Sequence, residues 1–327
     1  MASITMAAAL NQALDEEMDR DERVFLIGED IPDPTGGAFQ VTKGLSTKYG
    51  LERVLDSPIS EQAIIGASTG AAMAGMRPVA EIMICDFLGV CMDQLANHAA
   101  KLRFMSGGAT TVPMVVRTMG SGGINFGGQH SQMLEAWLVH TPGLKVCIPS
   151  TPADAKGLLT AAIRDPDPVV IIEPCVLYSV PGEVPESAHV IAPGTADIKR
   201  AGSDVTVVTY GRQVHDALAA AEAVAGELSV EVIDLRWLQP WDVETVLASA
   251  RKTTRVVVVH QAVQRGGFGG EVAAVLQEHL FGTLTAPILR VAGKNTPVPY
   301  ATELESFHIP SAEEIATAIR AVAEGSG

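Results

Sequence analysis

Apolar residues recur along this chain in two rhythms. VFLIGED (24–30), RVLDSPI (53–59), RPVAEIMI (77–84), VPMVVRTM (112–119), LKVCIPS (144–150) and PVVIIEP (168–174) are short, β-branched runs cut off by turn residues. They predict strands buried on both faces of a parallel sheet. Between them, apolar positions fall at helical spacing in MAAALNQALDEEMDR (6–20), GVCMDQLANHAAKLRFM (89–105) and TPADAKGLLTAAIRD (151–165). The last of these opens with Thr151 as cap and Pro152 in its first turn. Residues 179–203, SVPGEVPESAHVIAPGTADIKRAGS, carry Pro and Gly without an apolar period and read as a connection between domains. Strands resume in DVTVVTYG (204–211), VEVIDLRWL (230–238), RVVVVHQ (255–261) and APILRVAG (286–293), separated by helical patterns at 212–226, 242–250, 270–281 and 311–324.

Strands alternating with helices in both halves predict two α/β domains, each with a mainly parallel sheet. The expected division is 1–185, a linker at 186–203, and 204–327. A length of 327 residues and a 47% hydrophobic fraction suit two well-filled cores. The net charge of −15 disfavours nucleic acid and anionic membranes as partners and leaves room for a basic protein. Cys85, Cys91, Cys147 and Cys175 form no C-x-x-C pair, which points to reduced thiols in a cytoplasmic protein. The first residues lack the pattern of a signal peptide, and no apolar run reaches the ~18 residues of a membrane span.

Several familiar chemistries find no motif. The chain holds no G-x-x-x-x-G-K-[ST], G-x-S-x-G, H-E-x-x-H or EF-hand loop. RGGFGGEV (265–272) misses the G-x-G-x-x-G register and reads as a strand-to-helix turn. SGGINFGGQHSQ (121–132) is a stronger candidate, because glycines let backbone approach a ligand and His130 stands at its end, beyond an expected strand. LDSPISEQAIIGASTGAAMAG (55–75) places one carboxylate, Glu61, at the mouth of an otherwise small and apolar helix. Two readings fit: Ser60 caps the helix and Glu61 complements its positive end, or the carboxylate is aimed at a ligand. Gly66, Gly70 and Ala74, four apart, form a stripe on which another helix can pack closely.

Taken in order, VFLIGED, GLSTKYG, RVLDSPISE, GAAMAGMRPVAEIM, MSGG, GGQHSQ, PGLKVCIPS, DAKGLLTAAIRD, DLRWLQPWD and PVPYA resemble the β subunit of the decarboxylating dehydrogenase component of 2-oxoacid dehydrogenase complexes. These are thiamine diphosphate enzymes acting on pyruvate, acetoin or branched-chain oxoacids. The resemblance implies a transketolase-like pyrimidine-binding domain followed by a transketolase C-terminal-like domain. It implies that Glu61 bonds a ring nitrogen of the cofactor's aminopyrimidine and thereby favours the imino tautomer that generates the ylid. Met83 and Phe87 match the pyrimidine pocket, and His130 matches the active-site histidine that serves the bound intermediate or acyl transfer to lipoamide. Met114, Ala162, Ile163, Asp165 and Asp167 match a monovalent-cation (K+) loop of some members, although Asp167 replaces the family's Asn and Pro166 also departs from it.

The family holds the diphosphate and its magnesium with a G-D-G motif, and no G-D-G occurs in this chain. The implied chain is half of an active site, completed by an α subunit in an α2β2 heterotetramer and joined to a lipoyl acyltransferase core. CDFLGVCMDQ and VVRTMGSGG resemble acetoin enzymes most, whereas PVPYA also suits pyruvate enzymes. A branched-chain β subunit and a non-catalytic transketolase-like scaffold are the alternatives.

Overall fold

The computed structural model describes residues 2–120, 122–187 and 189–325. Ser121, first of the glycine-rich stretch, and Ala188, in the expected linker, lie outside the described residues, with Met1, Ser326 and Gly327. The chain forms two compact units, Met1–Gly120 with Trp137–Pro193, and Ser121–Ala136 with Gly194–Gly327.

In the first unit, the helix Met6–Arg20 begins where the Thr5 hydroxyl accepts the Ala8 N–H. Its buried stripe of Met6, Leu10, Leu14 and Met18 packs against the helix Pro152–Arg164, whose Thr151 cap accepts the Asp154 N–H at 3.1 Å. Charges at this contact are paired. Lys156 Nζ, fully buried, donates to Glu16 at 2.8 Å and to the Pro185 carbonyl at 3.1 Å. Burial pushes the Glu17 carboxyl up, but hydrogen bonds from Arg164 and Arg20 outweigh it and hold the group below its ordinary range.

Six strands of this unit pair in the order Lys145–Cys147, Val169–Pro174, Val115–Gly120, Arg77–Ile84, Val24–Gly28, Val54–Asp56, every pair parallel. Each expected apolar run contains one of them. The run at 112–119 starts its strand only at Val115, because Pro113 has no N–H to give to a ladder. The helix expected over 89–105 runs unbroken from Met92 to Met105, π-helical over Asp93–Ala99 and α-helical over Ala100–Met105, and a 3-10 turn at Cys85–Gly89 precedes it. A period of 3.6 cannot reveal an i→i+5 turn.

The second unit has strands in the order Leu289–Gly293, Val256–Val263, Val205–Thr209, Val230–Asp234, Asp197–Arg200, parallel except for the last. Val205, Val207, Val230, Val232, Val257 and Val259 meet the apolar faces of the helices Gln213–Ala223 and Ala312–Ala323. The run at 230–238 divides at Arg236, which takes φ 57°, into Val230–Asp234 and a second strand, Trp237–Gln239. The Pro- and Gly-rich stretch is not featureless. It contributes Pro181–Val184, antiparallel to Ala2–Thr5, and Asp197–Arg200, antiparallel to Val230–Asp234. Four-residue edge strands are too short to print a period.

One glycine fixes the approach between helix and turn. Gly143 has φ +103°, and a Cβ there would sit 1.9 Å from the Ala100 carbonyl oxygen, in the helix that follows the Cys85–Gly89 turn. Gly143→Ala is expected to destabilise the chain by at least about 2 kcal/mol. A urea denaturation midpoint equal to that of the parent chain would contradict this.

Candidate functional site

The carboxyl ends of three adjacent parallel strands gather the first group of residues. Val54–Asp56 leads to the helix Glu61–Met73, Val24–Gly28 leads to Glu29, and Arg77–Ile84 leads to the turn holding Phe87. The Ser57 N–H donates to Gly28 O at 3.0 Å and the Asp30 N–H to Asp56 Oδ1 at 2.9 Å, tying neighbouring ends together. In open parallel sheets this edge is where ligands bind.

Glu61 is buried in the first turn of its helix. Ser60 does not cap that helix through its side chain; its hydroxyl donates to Pro58 O at 3.0 Å instead. Among the described residues the Glu61 carboxylate has no hydrogen-bond partner. Its neighbours feel its charge. Burial, then Glu61, Asp30, Asp56 and Glu81, push the Glu29 carboxyl above its ordinary range. Burial, then Glu61, push the Cys91 thiol up to about 12. Cys91 Sγ in turn lies 3.8 Å from Phe87 O, so one thiol neighbours both the carboxylate and the Phe87 turn.

Met83 and Glu81 share one face of their strand, two residues apart. A small cavity there is lined by Phe39, Met83, Thr118, Met119 and Tyr178 around a buried guanidinium, Arg117. Arg117 bonds Glu173 through Nε at 2.8 Å and Nη2 at 2.7 Å, and Glu81 through Nη1 at 2.7 Å, while the Tyr178 hydroxyl donates to Glu173 at 2.7 Å. Burial raises the Glu81 carboxyl, and Arg117 opposes that rise.

His130 belongs to the second unit. It is half-buried; its N–H donates to Gly127 O at 3.3 Å, and its ring meets Phe126 edge-on with centroids 6.5 Å apart. Glu61, Met83 and Phe87 belong to the first unit.

The residues matched to a cation loop are held by the chain's own cations. Arg77 Nη1 donates to Ile163 O at 2.7 Å and to Asp165 O at 3.2 Å. Lys145 Nζ bonds both carboxylate oxygens of Asp165 at 2.7 Å, and Arg103 Nη1 pairs with Asp167 at 2.5 Å. Met114 O accepts the Val169 N–H and Ala162 O the Asp165 N–H. Two of the matched carbonyls, those of Ile163 and Asp165, thus already accept from one guanidinium. The Gly266–Gly270 turn serves packing. A Cβ at Gly267 or Gly269 would lie 2.5 Å from the buried ring of His260, whose pKa burial lowers to about 4.

No sequence motif marks Glu29 within VFLIGED. The acid directly after a buried strand, on the ligand edge of a parallel sheet, was the available signal. Arg117, Glu81 and Glu173 carried the simpler signal of charges inside apolar strands.

Residues 2–180 match the transketolase pyrimidine-binding domain and residues 194–315 the transketolase C-terminal domain. The chain is 48% identical to the β subunit of acetoin:2,6-dichlorophenolindophenol oxidoreductase from Cupriavidus necator, over 98% of each chain. It is 44% identical to the 2-oxoisovalerate dehydrogenase β subunit of Bacillus subtilis, over 99% of this chain and 100% of that one. It is also 44% identical to the pyruvate dehydrogenase E1 β subunit of Rhizobium meliloti, over 98% of this chain and 70% of that one. A split-gene transketolase, an inactive β4 tetramer, shares the fold over the full length of both chains with a TM-score of 0.82 at 22% identity.

Replacing Arg117 by Met would leave Glu81 and Glu173 buried without their cation, at a cost of about 3–5 kcal/mol. Glu81 already has a raised folded pKa, so its contribution favours the fold at low pH and is lost as pH rises. The Arg117→Met penalty is therefore expected to be larger near about pH 8 than near about pH 5. Denaturation curves at both pH values giving the same penalty would contradict it.

Proposed function

The chain belongs to the β subunits of the pyruvate and acetoin dehydrogenase type, built from the two transketolase domains, and from that premise we propose that it forms the pyrimidine half of a thiamine diphosphate site for oxidative cleavage of pyruvate or acetoin. The observation that carries the reading is Glu61, a mostly buried residue at the ligand edge of the sheet whose carboxylate has no hydrogen-bond partner among the described residues, with the Phe87 turn close by. A ligand N–H that donates to it would form a charge-assisted hydrogen bond.

When bound, the cofactor supplies a carbon nucleophile and a sink for the electron pair released on cleavage. The chain's residues hold and tune it. Glu61 accepts a hydrogen bond at a ring nitrogen of the aminopyrimidine, and its negative charge favours the imino form. Water exclusion by the surrounding apolar residues strengthens that bond. Met83 and Phe87 form an apolar wall suited to a flat heteroaromatic ring. His130 exchanges a proton with the lipoyl group as it takes up the acyl unit.

An α subunit supplies the diphosphate and Mg2+ contacts in an α2β2 assembly. The exposed Gly70, with nothing within 4 Å of its Cβ position, and the exposed Met73 and Met76 support a closely packed partner helix. The net charge of −15 supports docking onto a basic domain of a lipoyl acyltransferase core. Four free, buried cysteines support a reducing compartment, the cytoplasm.

The purified chain alone is expected to be inactive, and mixing it with its α subunit to restore substrate-dependent reduction of an artificial electron acceptor. Acetoin, pyruvate and 2-oxoisovalerate are assayed side by side. Turnover by the isolated chain, or of 2-oxoisovalerate alone, would overturn the proposal. Glu61→Gln keeps shape and removes charge, so in the assembled enzyme the cofactor should bind while its thiazolium proton exchanges with deuterium about a hundredfold more slowly. An unchanged exchange rate would reduce Glu61 to a helix-end charge.

A further inference from the structure

The stretch that carries His130 is pinned to the second unit at three places. Near its start, the Gly123 N–H donates to Glu305 Oε1 at 2.9 Å and the Asn125 N–H to Glu305 Oε2 at 3.0 Å. Glu305 is buried, and both of its oxygens are spent on backbone. The fit around it is close: a Cβ at Gly122 would lie 3.2 Å from Glu305 Oε1 and 3.3 Å from Ile309 Cδ1. In the middle, Gly127 has φ +72°, and a Cβ there would stand 2.3 Å from the Tyr300 ring. The neighbouring Gly128 faces Pro297 and Val298 O. At the far end, the fully buried Glu135 accepts the Tyr210 hydroxyl at 2.7 Å. His130 lies between the second and third pins, on a turn closed by its own N–H to Gly127 O.

A carboxylate that accepts two backbone N–H groups makes charge-assisted bonds in a fixed geometry. Asn125 sits at φ 58°, in the left-handed region that asparagine enters more readily than other non-glycine residues. Glu305 and Tyr300 meet the loop at the backbone of Gly123, Asn125 and Gly127, so their effect on His130 passes through the backbone of 122–128.

We propose that Glu305 is a positioning residue: by clamping the Gly123 and Asn125 amides, it holds the loop that presents His130, with the Pro297–Tyr300 segment as the opposing jaw. This rests on the assignment of His130 above. A misplacement of about 1 Å at a reacting group costs about a hundredfold in rate, so a loop rich in glycine needs such a clamp. The same geometry accounts for the joint presence of GGQHSQ and PVPYA, far apart in sequence and in contact here.

The test uses the assembled enzyme with Glu305→Gln, His130→Gln and the double variant. In Glu305→Gln one oxygen becomes an NH2 that faces a backbone N–H. Hydrogen exchange across 122–130 is expected to quicken about tenfold. Acyl transfer to a free lipoyl domain is expected to fall at least about tenfold in kcat, with KM for that domain within about twofold. The double variant should be no slower than His130→Gln alone, because Glu305 acts through His130. A purely structural carboxylate would give additive losses and an unchanged loop exchange, and either result overturns the clamp. A His130→Gln enzyme with full acyl transfer overturns the His130 assignment and the positioning role with it, whatever the exchange shows. If Glu305→Gln does not assemble, Gly127→Ala, which presses on the loop from the Tyr300 side, is read by the same measurements.

Discussion

A parallel sheet brings every strand out at the same edge, and the first unit depends on that. Because the strands at 24–28, 54–56 and 77–84 are adjacent and parallel, Glu29, Glu61 and the Phe87 turn emerge together without any motif linking them in sequence. Antiparallel pairing would have sent one of the three to the opposite edge. The apolar, β-branched character of these runs is thus the first cause of the site, ahead of any charged residue.

Electrostatics then sets the character of that edge. Burial, then Glu61, Asp30, Asp56 and Glu81, raise the Glu29 carboxyl, and no cation of the chain pairs with Glu61 among the described residues. One layer further in, the single guanidinium of Arg117 pairs with both Glu81 and Glu173. The contrast is informative. The sheet interior sets one cation between two acids, whereas the edge keeps an acid with no hydrogen-bond partner among the described residues. The 13-residue helix behind Glu61 offers its positive end to that charge.

Much of this was legible in the chain itself. Buried parallel strands announce themselves as continuous apolar runs, and all of the expected runs hold strands because neither face has to be polar. Glu61 stood out as a lone charge on an apolar helix. The role proposed for it rests on the resemblance, and the structure shows that the Ser60 side chain does not cap the helix. Other features lay beyond local pattern. The π-helical turn at 93–99 has the same apolar spacing as an ordinary helix over so short a span. The edge strand at 197–200 is held by pairing rather than by burial. The attachment of residues 122–136 to the second unit is set by Glu305, Tyr300 and Tyr210, and no window of neighbouring residues contains those partners.

That attachment also bears on the order in which the protein can be made. The Glu305 bonds span 182 and 180 residues, among the longest-range contacts in the chain. During synthesis from the amino end, the loop leaves the ribosome long before the carboxylate that will hold it exists. The strands that flank it in sequence, Val115–Gly120 and Lys145–Cys147, are likewise made long before that carboxylate. Ordering of the histidine loop is therefore tied to completion of nearly the whole polypeptide, whereas the three strands of the Glu61 edge all lie within residues 24–84.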